Sequence, residues 1–190
     1  MASDPHNKLN FWGRILRWAG WSVSVKAPRR DKCVICVAPH TSNWDFVLGY
    51  LAWLSVGRKA NFVMKKAWFV FPLNLFFRAL GGIPVSRKGS GGKLTAALEE
   101  KFRTEPYLNL AITPEGTRRG TARWHTGFLR IAYSAGVPVQ LGIIDYANKH
   151  ISVDEELQIT GDLDADMGTV KKFYSRYKDA ARYPDKFITD

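Results

Sequence analysis

The chain has 190 residues and 21.5 kDa, with 46% hydrophobic and 24% charged residues. That length suits one domain, or one domain with a small appendage, and the composition excludes wholesale disorder. The formal net charge is +11 and is unevenly placed. Residues 1–98 hold 15 basic and 3 acidic residues, whereas 99–190 hold 13 and 14. Six of the seven Trp also lie in the first half. A basic, aromatic-rich half points to an anionic partner: nucleic acid, a membrane surface, or an acidic protein or substrate.

Residues 9–21 repeat with a helical period. At about 100° per residue, Trp12, Ile15, Leu16 and Ala19 form one stripe, flanked by Phe11, Trp18 and Leu9. Asn10, Arg14 and Arg17 share the opposite face. Such a helix either lies flat at a membrane interface or packs on its own domain, and its Trp content favours the interface. The N-terminus carries Asp4, His6 and Asn10 and lacks the long apolar core of a signal peptide. No stretch approaches the roughly 20 apolar residues that span a bilayer. An intracellular protein is expected.

Lys26 to Lys32 is a basic connector, and 33–38 reads as a buried strand ending at Pro39. This strand holds both cysteines, Cys33 and Cys36, so a disulfide framework is excluded. Three residues apart on a strand they point to opposite faces, which favours packing over a redox or metal role. Residues 43–57 read as a helix that Ser42 or Asn43 can cap. Residues 61–64 form a short strand. Trp68 to Phe77, apolar but broken by Pro72 and Asn74, is either core or a second membrane-touching segment. Ile83-Pro84-Val85 is a strand fragment before a Gly/Ser-rich loop ending in Gly92-Lys93. That loop fails as a nucleotide P-loop, because Arg87 and Leu94 stand where Gly and Ser or Thr are required. A helix over 93–104, a strand over 108–112, a helix over 126–135 stopped by Gly136 and a strand over 137–144 follow. One or two strands over 151–159 and a polar helix over 165–179 complete the chain. The alternation predicts an α/β layered sheet, substantially parallel, with flanking helices and an N-terminal amphipathic interfacial helix. Residues 1–25 are assigned to that helix and 26–190 to the main domain.

Two polar clusters follow strands, where open α/β sheets place their ligands. In the first, His40 sits in a turn and Asp45 opens the next helix. Within one helix the two would diverge by about 140°. With His40 in the turn, Asp45 can fold back to its ring. The carboxylate then orients one ring nitrogen and leaves the other free to take a proton, as a general base requires. A helix cap with a structural His is the alternative. Ser42 beside the His is read as a cap rather than a nucleophile. In the second cluster, Glu115-Gly116-Thr117-Arg118, an anion can be held by Arg118, the Thr117 hydroxyl and turn N–H groups. Arg87 and Lys88 offer another basic point.

Together, His-x4-Asp at 40–45, Gly-Ile-Pro-Val-Ser-Arg at 82–87, Pro-Glu-Gly-Thr-Arg at 114–118 and Gly-Val-Pro-Val at 136–139 resemble the four ordered blocks of the glycerophospholipid acyltransferase family, the 1-acylglycerol-3-phosphate O-acyltransferases. The resemblance implies His40 as base toward an acceptor hydroxyl and Asp45 as its orienting carboxylate. It implies Arg87 and Arg118 as phosphate ligands, with Glu115, Gly116 and Thr117 in the acceptor-binding loop. It also implies direct attack on an acyl thioester, with no covalent acyl-enzyme, no metal and no cofactor. Acyl-CoA or acyl carrier protein would be the co-substrate. Pro39 and Thr41 stand where phosphatidate-making members carry Asn and Gln, so the acceptor stays open. A lysophospholipid is the default and a non-phosphate lyso-lipid such as an aminolipid the alternative. A non-catalytic membrane lipid-binding protein is the rival from another class. Nucleic acid is disfavoured, because the basic residues are dispersed among apolar segments. The expected location is cytoplasmic, peripheral on the inner face of a membrane.

Overall fold

The computed structural model describes residues 10–85 and 91–189. In it one seven-stranded sheet is built from β1 (Ser22–Ser24), β2 (Lys32–Val37), β3 (Asn61–Lys65), β4 (Gly82–Val85), β5 (Leu108–Ile112), β6 (Val139–Asp145) and β7 (His150–Leu157). Their order is β1-β7-β6-β2-β5-β3-β4. All pairings are parallel except β6 with β7. The expected α/β fold with a mostly parallel sheet is what the chain adopts.

The helices are α1 (Phe11–Trp18), α2 (Trp44–Ser55), α3 (Leu73–Ala79), α4 (Gly91–Thr104), α5 (Gly127–Ala135) and α6 (Leu163–Ser175). Alternation along β2 sorts the two layers. Val34 and Cys36 face a core shared with Leu98 and Phe102 of α4, Phe128 and Leu129 of α5, and Val170 and Tyr174 of α6. Cys33 and Ile35 face the other way, toward Trp53 of α2. Both thiols are buried, and burial pushes each to about 12, which leaves them unreactive as nucleophiles. α5 ends at Gly136, whose φ of 61° supplies the left-handed turn after a helix.

The N-terminal helix is shorter than its periodic pattern. Asn10 caps it by accepting from the backbone N–H groups of Trp12 and Gly13. Of the predicted stripe only Leu16 is buried, packing near Leu48 and Ala52 of α2. Trp12 and Ile15 remain exposed, and Trp18 is 91% exposed. The segment from Trp68 to Phe77 is surface rather than core: Trp68, Val70, Leu75 and Phe76 are exposed, and Phe71 is 81% exposed.

β2, β3, β4, β5 and β6 run the same way, so their C-terminal ends share one edge of the sheet. The turn at 38–43 leaves β2 there, the loop at 113–120 leaves β5, and Tyr146 follows β6.

Candidate active site

At that edge Asp45, in the first turn of α2, folds back over the turn before it. Its Oδ2 accepts from the N–H groups of Thr41 and Ser42, each at 2.8 Å. The same oxygen lies 3.2 Å from His40 Nδ1, an ion-pair distance at an angle short of a well-aligned hydrogen bond. Its Oδ1 accepts from the Tyr146 hydroxyl at 2.6 Å. Burial alone would raise the Asp45 carboxyl. The donors from His40, Tyr146 and the Ser42 backbone outweigh it and hold the carboxyl below its ordinary value. His40 therefore faces a carboxyl held below its ordinary value.

The turn is also held from below. Glu115 is 1% exposed, and its Oε1 accepts from the His40 backbone N–H at 2.8 Å. Oε2 has no hydrogen-bond partner among the described residues. Burial pushes this carboxyl up to about 8, the His40 N–H opposes the shift, and the Asp45 charge adds to it. Glu115 thus supports the His40 backbone and does not project into the loop it belongs to by sequence. Gly116 follows with φ 63°, and a Cβ there would stand 2.8 Å from His125 Cδ2. Only glycine makes this turn without displacing the imidazole. Thr117 Oγ1 accepts from the Arg119 N–H, and Arg118 is exposed. Arg87 lies outside the described residues.

Beside His40 and Asp45 a cavity of about 220 Å³ opens between α2 and the sheet. His40, Asp45 and Thr113 line it at the turn. The rest of its wall is nearly all apolar, with Gly49 and Trp53 from α2, Phe62 from β3, Ala111 from β5 and Val153 from β7. Asp45 to Trp53 is eight residues of helix, so the slot runs about 12 Å along α2.

A protein-family model described as acyltransferase matches residues 22–141. That span contains the His40–Asp45 turn and the Glu115 loop. The chain belongs to the acyltransferase family. It is an enzyme of acyl transfer. The acyltransferase also resembles, in fold, the crystal structure of the 1-acyl-sn-glycerophosphate (LPA) acyltransferase PlsC from Thermotoga maritima. The TM-score is 0.59 and the identity 21%, over 91% of this chain and 78% of that one. None of the curated proteins matches this chain.

Two parts of the candidate site, the cavity and Tyr146, leave little trace in the sequence. The cavity is walled by α2 and by β2, β3, β5, β6 and β7, which are distant in sequence, so no local pattern announces it. Tyr146 did carry a signal: a hydrogen-bonding aromatic placed directly after a strand at the edge that carries His40.

Glu115→Gln should change how the stability of the protein depends on pH. In the folded acyltransferase Glu115 keeps its proton up to about pH 8, whereas the unfolded chain releases it near 4.5. This group's stabilisation is full below pH 4.5 and is lost as pH rises toward 8, by at most about 1.4 kcal/mol per pH unit. Gln retains an acceptor for the His40 N–H and does not ionise. Denaturant titrations from pH 5 to pH 8 should show the variant gaining on the wild type as pH rises. Parallel curves would contradict the assignment.

Proposed function

We propose that this enzyme moves a fatty acyl group from an acyl thioester to a free hydroxyl of a lysophospholipid. The observation that carries this reading is an apolar slot opening directly beside the His40–Asp45 pair. A slot with so few polar walls suits a hydrocarbon chain, and its mouth is where the acyl carbonyl would meet a base. His40 takes the proton of the acceptor hydroxyl. The oxygen attacks the thioester carbonyl carbon, the C–S bond breaks, and the departing sulfur receives the proton from His40. Asp45 steadies the imidazolium between the two transfers. Arg118 and Arg87 are the proposed ligands of the acceptor phosphate, as the sequence resemblance implies.

The test is a labelled long-chain acyl thioester, carried on CoA or on acyl carrier protein, offered to lysophosphatidate and to a neutral lyso-lipid. Transfer to lysophosphatidate that falls in Arg118→Ala through a raised KM supports the reading. Equal transfer to the neutral acceptor, unchanged by Arg118→Ala, would replace it with a phosphate-independent acyltransferase.

No helix among the described residues is long and apolar enough to cross a membrane. We infer attachment at the surface, supported by exposed Phe11, Trp12 and Trp18 of α1 and by Trp68, Phe71 and Phe76 around α3. Arg14, Arg17, Lys65, Lys66 and Arg78 lie within or beside these segments and suit anionic headgroups. Losing one inserted Phe should cost about 1.5 kcal/mol or more, roughly tenfold in partitioning. Phe71→Ser should therefore weaken sedimentation with anionic vesicles about tenfold, and Trp18→Ser should add to it. Unaltered sedimentation of the double variant would remove these segments from the account.

A further inference from the structure

We propose that Tyr146 is a positioning residue for the His40–Asp45 pair, and that the C-terminal strap around Arg182 holds Tyr146 in place. This inference rests on reading that pair as the base. Asp45 is 101 residues away in the chain and meets Tyr146 only because β6 lies beside β2 with its C-terminal end at the same edge. The hydroxyl donates to Oδ1 at 2.6 Å, while Oδ2 serves the two turn N–H groups and faces His40. A carboxylate swivels readily about its last torsion. With Oδ1 claimed by Tyr146, Oδ2 is kept toward the imidazole.

Tyr146 is itself fixed from three sides. Its backbone N–H donates to the Ala180 carbonyl at 2.8 Å. Its ring meets Trp21 edge to face, with centroids 5.2 Å apart. The Arg182 guanidinium stands 5.8 Å from its centroid. The same strap reaches the other side of the turn. Arg182 Nη1 is 3.4 Å from Ser42 Oγ, and the Tyr183 N–H donates to Thr41 Oγ1 at 3.3 Å. Residues 180–183 therefore touch both the partner of Asp45 and the turn that carries His40. Among the described residues, the titratable and charged groups facing the pair are Tyr146, Glu115 and, across the Tyr146 ring, Arg182. Burial, and then the bond to Asp45, raises the phenol well above its ordinary value, so it remains a donor across the working range.

The experiment compares wild type, Tyr146→Phe, Arg182→Ala, Arg182→Lys and His40→Ala in acyl transfer to lysophosphatidate between pH 5 and pH 9. Tyr146→Phe keeps the ring and its packing and removes one charge-assisted hydrogen bond. Its kcat should fall about 10- to 100-fold with KM for the acceptor unchanged. The acid limb of its kcat profile should move to higher pH, because a carboxylate short of one donor makes the coupled pair bind its proton more tightly. Arg182→Ala, at an exposed position, should lose about three- to tenfold in kcat, with partial rescue in Arg182→Lys. A Tyr146→Phe variant with wild-type kcat and an unmoved acid limb would overturn the proposal while His40→Ala stays inactive. A change confined to acceptor KM would also overturn it, making Tyr146 a substrate contact. An active His40→Ala would instead sink the reading of the base, so the two failures are distinguishable.

Discussion

His40→Ala should lower kcat for acyl transfer by about 10²- to 10⁴-fold, the range supplied by a positioned proton acceptor. The loss should come without unfolding. The contact of His40 with Glu115 runs through the backbone N–H, which alanine retains. Only the ring is removed, and with it the proposed route for the proton of the acceptor hydroxyl. The basic groups proposed to bind the acceptor are unchanged, so KM should change little. Steady-state kinetics together with a thermal melt check both halves. A variant that melts like wild type and turns over at the wild-type rate would exclude His40 as the base.

Asp45 should give a different pattern, because it does two jobs. Asp45→Asn keeps an oxygen for the Thr41 and Ser42 N–H groups, and its amide can donate to the Tyr146 oxygen. The turn should survive. What disappears is the negative charge beside the imidazolium, and the expected loss is about 10²- to 10⁴-fold in kcat. Asp45→Ala leaves two buried N–H groups without partners, each at about 1–3 kcal/mol. It should therefore lose stability as well as activity. Equal stability of the two variants would mean that the carboxylate does not hold the turn.

The contrast explains which parts of the molecule the sequence could reveal. β2, β5 and α2 were legible because each is an apolar run of the right length, bounded by Pro, Asn or Ser. His40 and Asp45 were legible because their meeting depends on one turn and one helix start. β1 was not, since Ser22–Ser24 is three residues long and is a strand only by pairing with β7 at His150–Ser152. α1 was legible in position but not in its buried face. The wheel picks out an apolar stripe, whereas the buried positions of α1 are Gly13 and Leu16, with Leu16 packed near Leu48 and Ala52 of α2. Glu115 reads as a loop ligand in sequence and is buried in the structure, because the turn at Gly116 carries the loop outward and leaves Glu115 beneath His40. Tyr146 and Arg182 depend on β6 lying beside β2 and on the strap returning to the turn, relations that only the folded chain expresses.

The proposed mechanism passes the acyl group directly from thioester to hydroxyl. Ser42, close to His40 in the turn, is buried, and its oxygen accepts from the Trp44 N–H. The most direct test is to trap the enzyme with an acyl-labelled thioester, first alone and then with lysophosphatidate, and to follow the label. Label should appear in the lipid product only when the acceptor is present, with none bound covalently to the protein at any time. Covalent label on the protein before acceptor is added, at Ser42 or elsewhere, chased into product afterwards, would contradict the account.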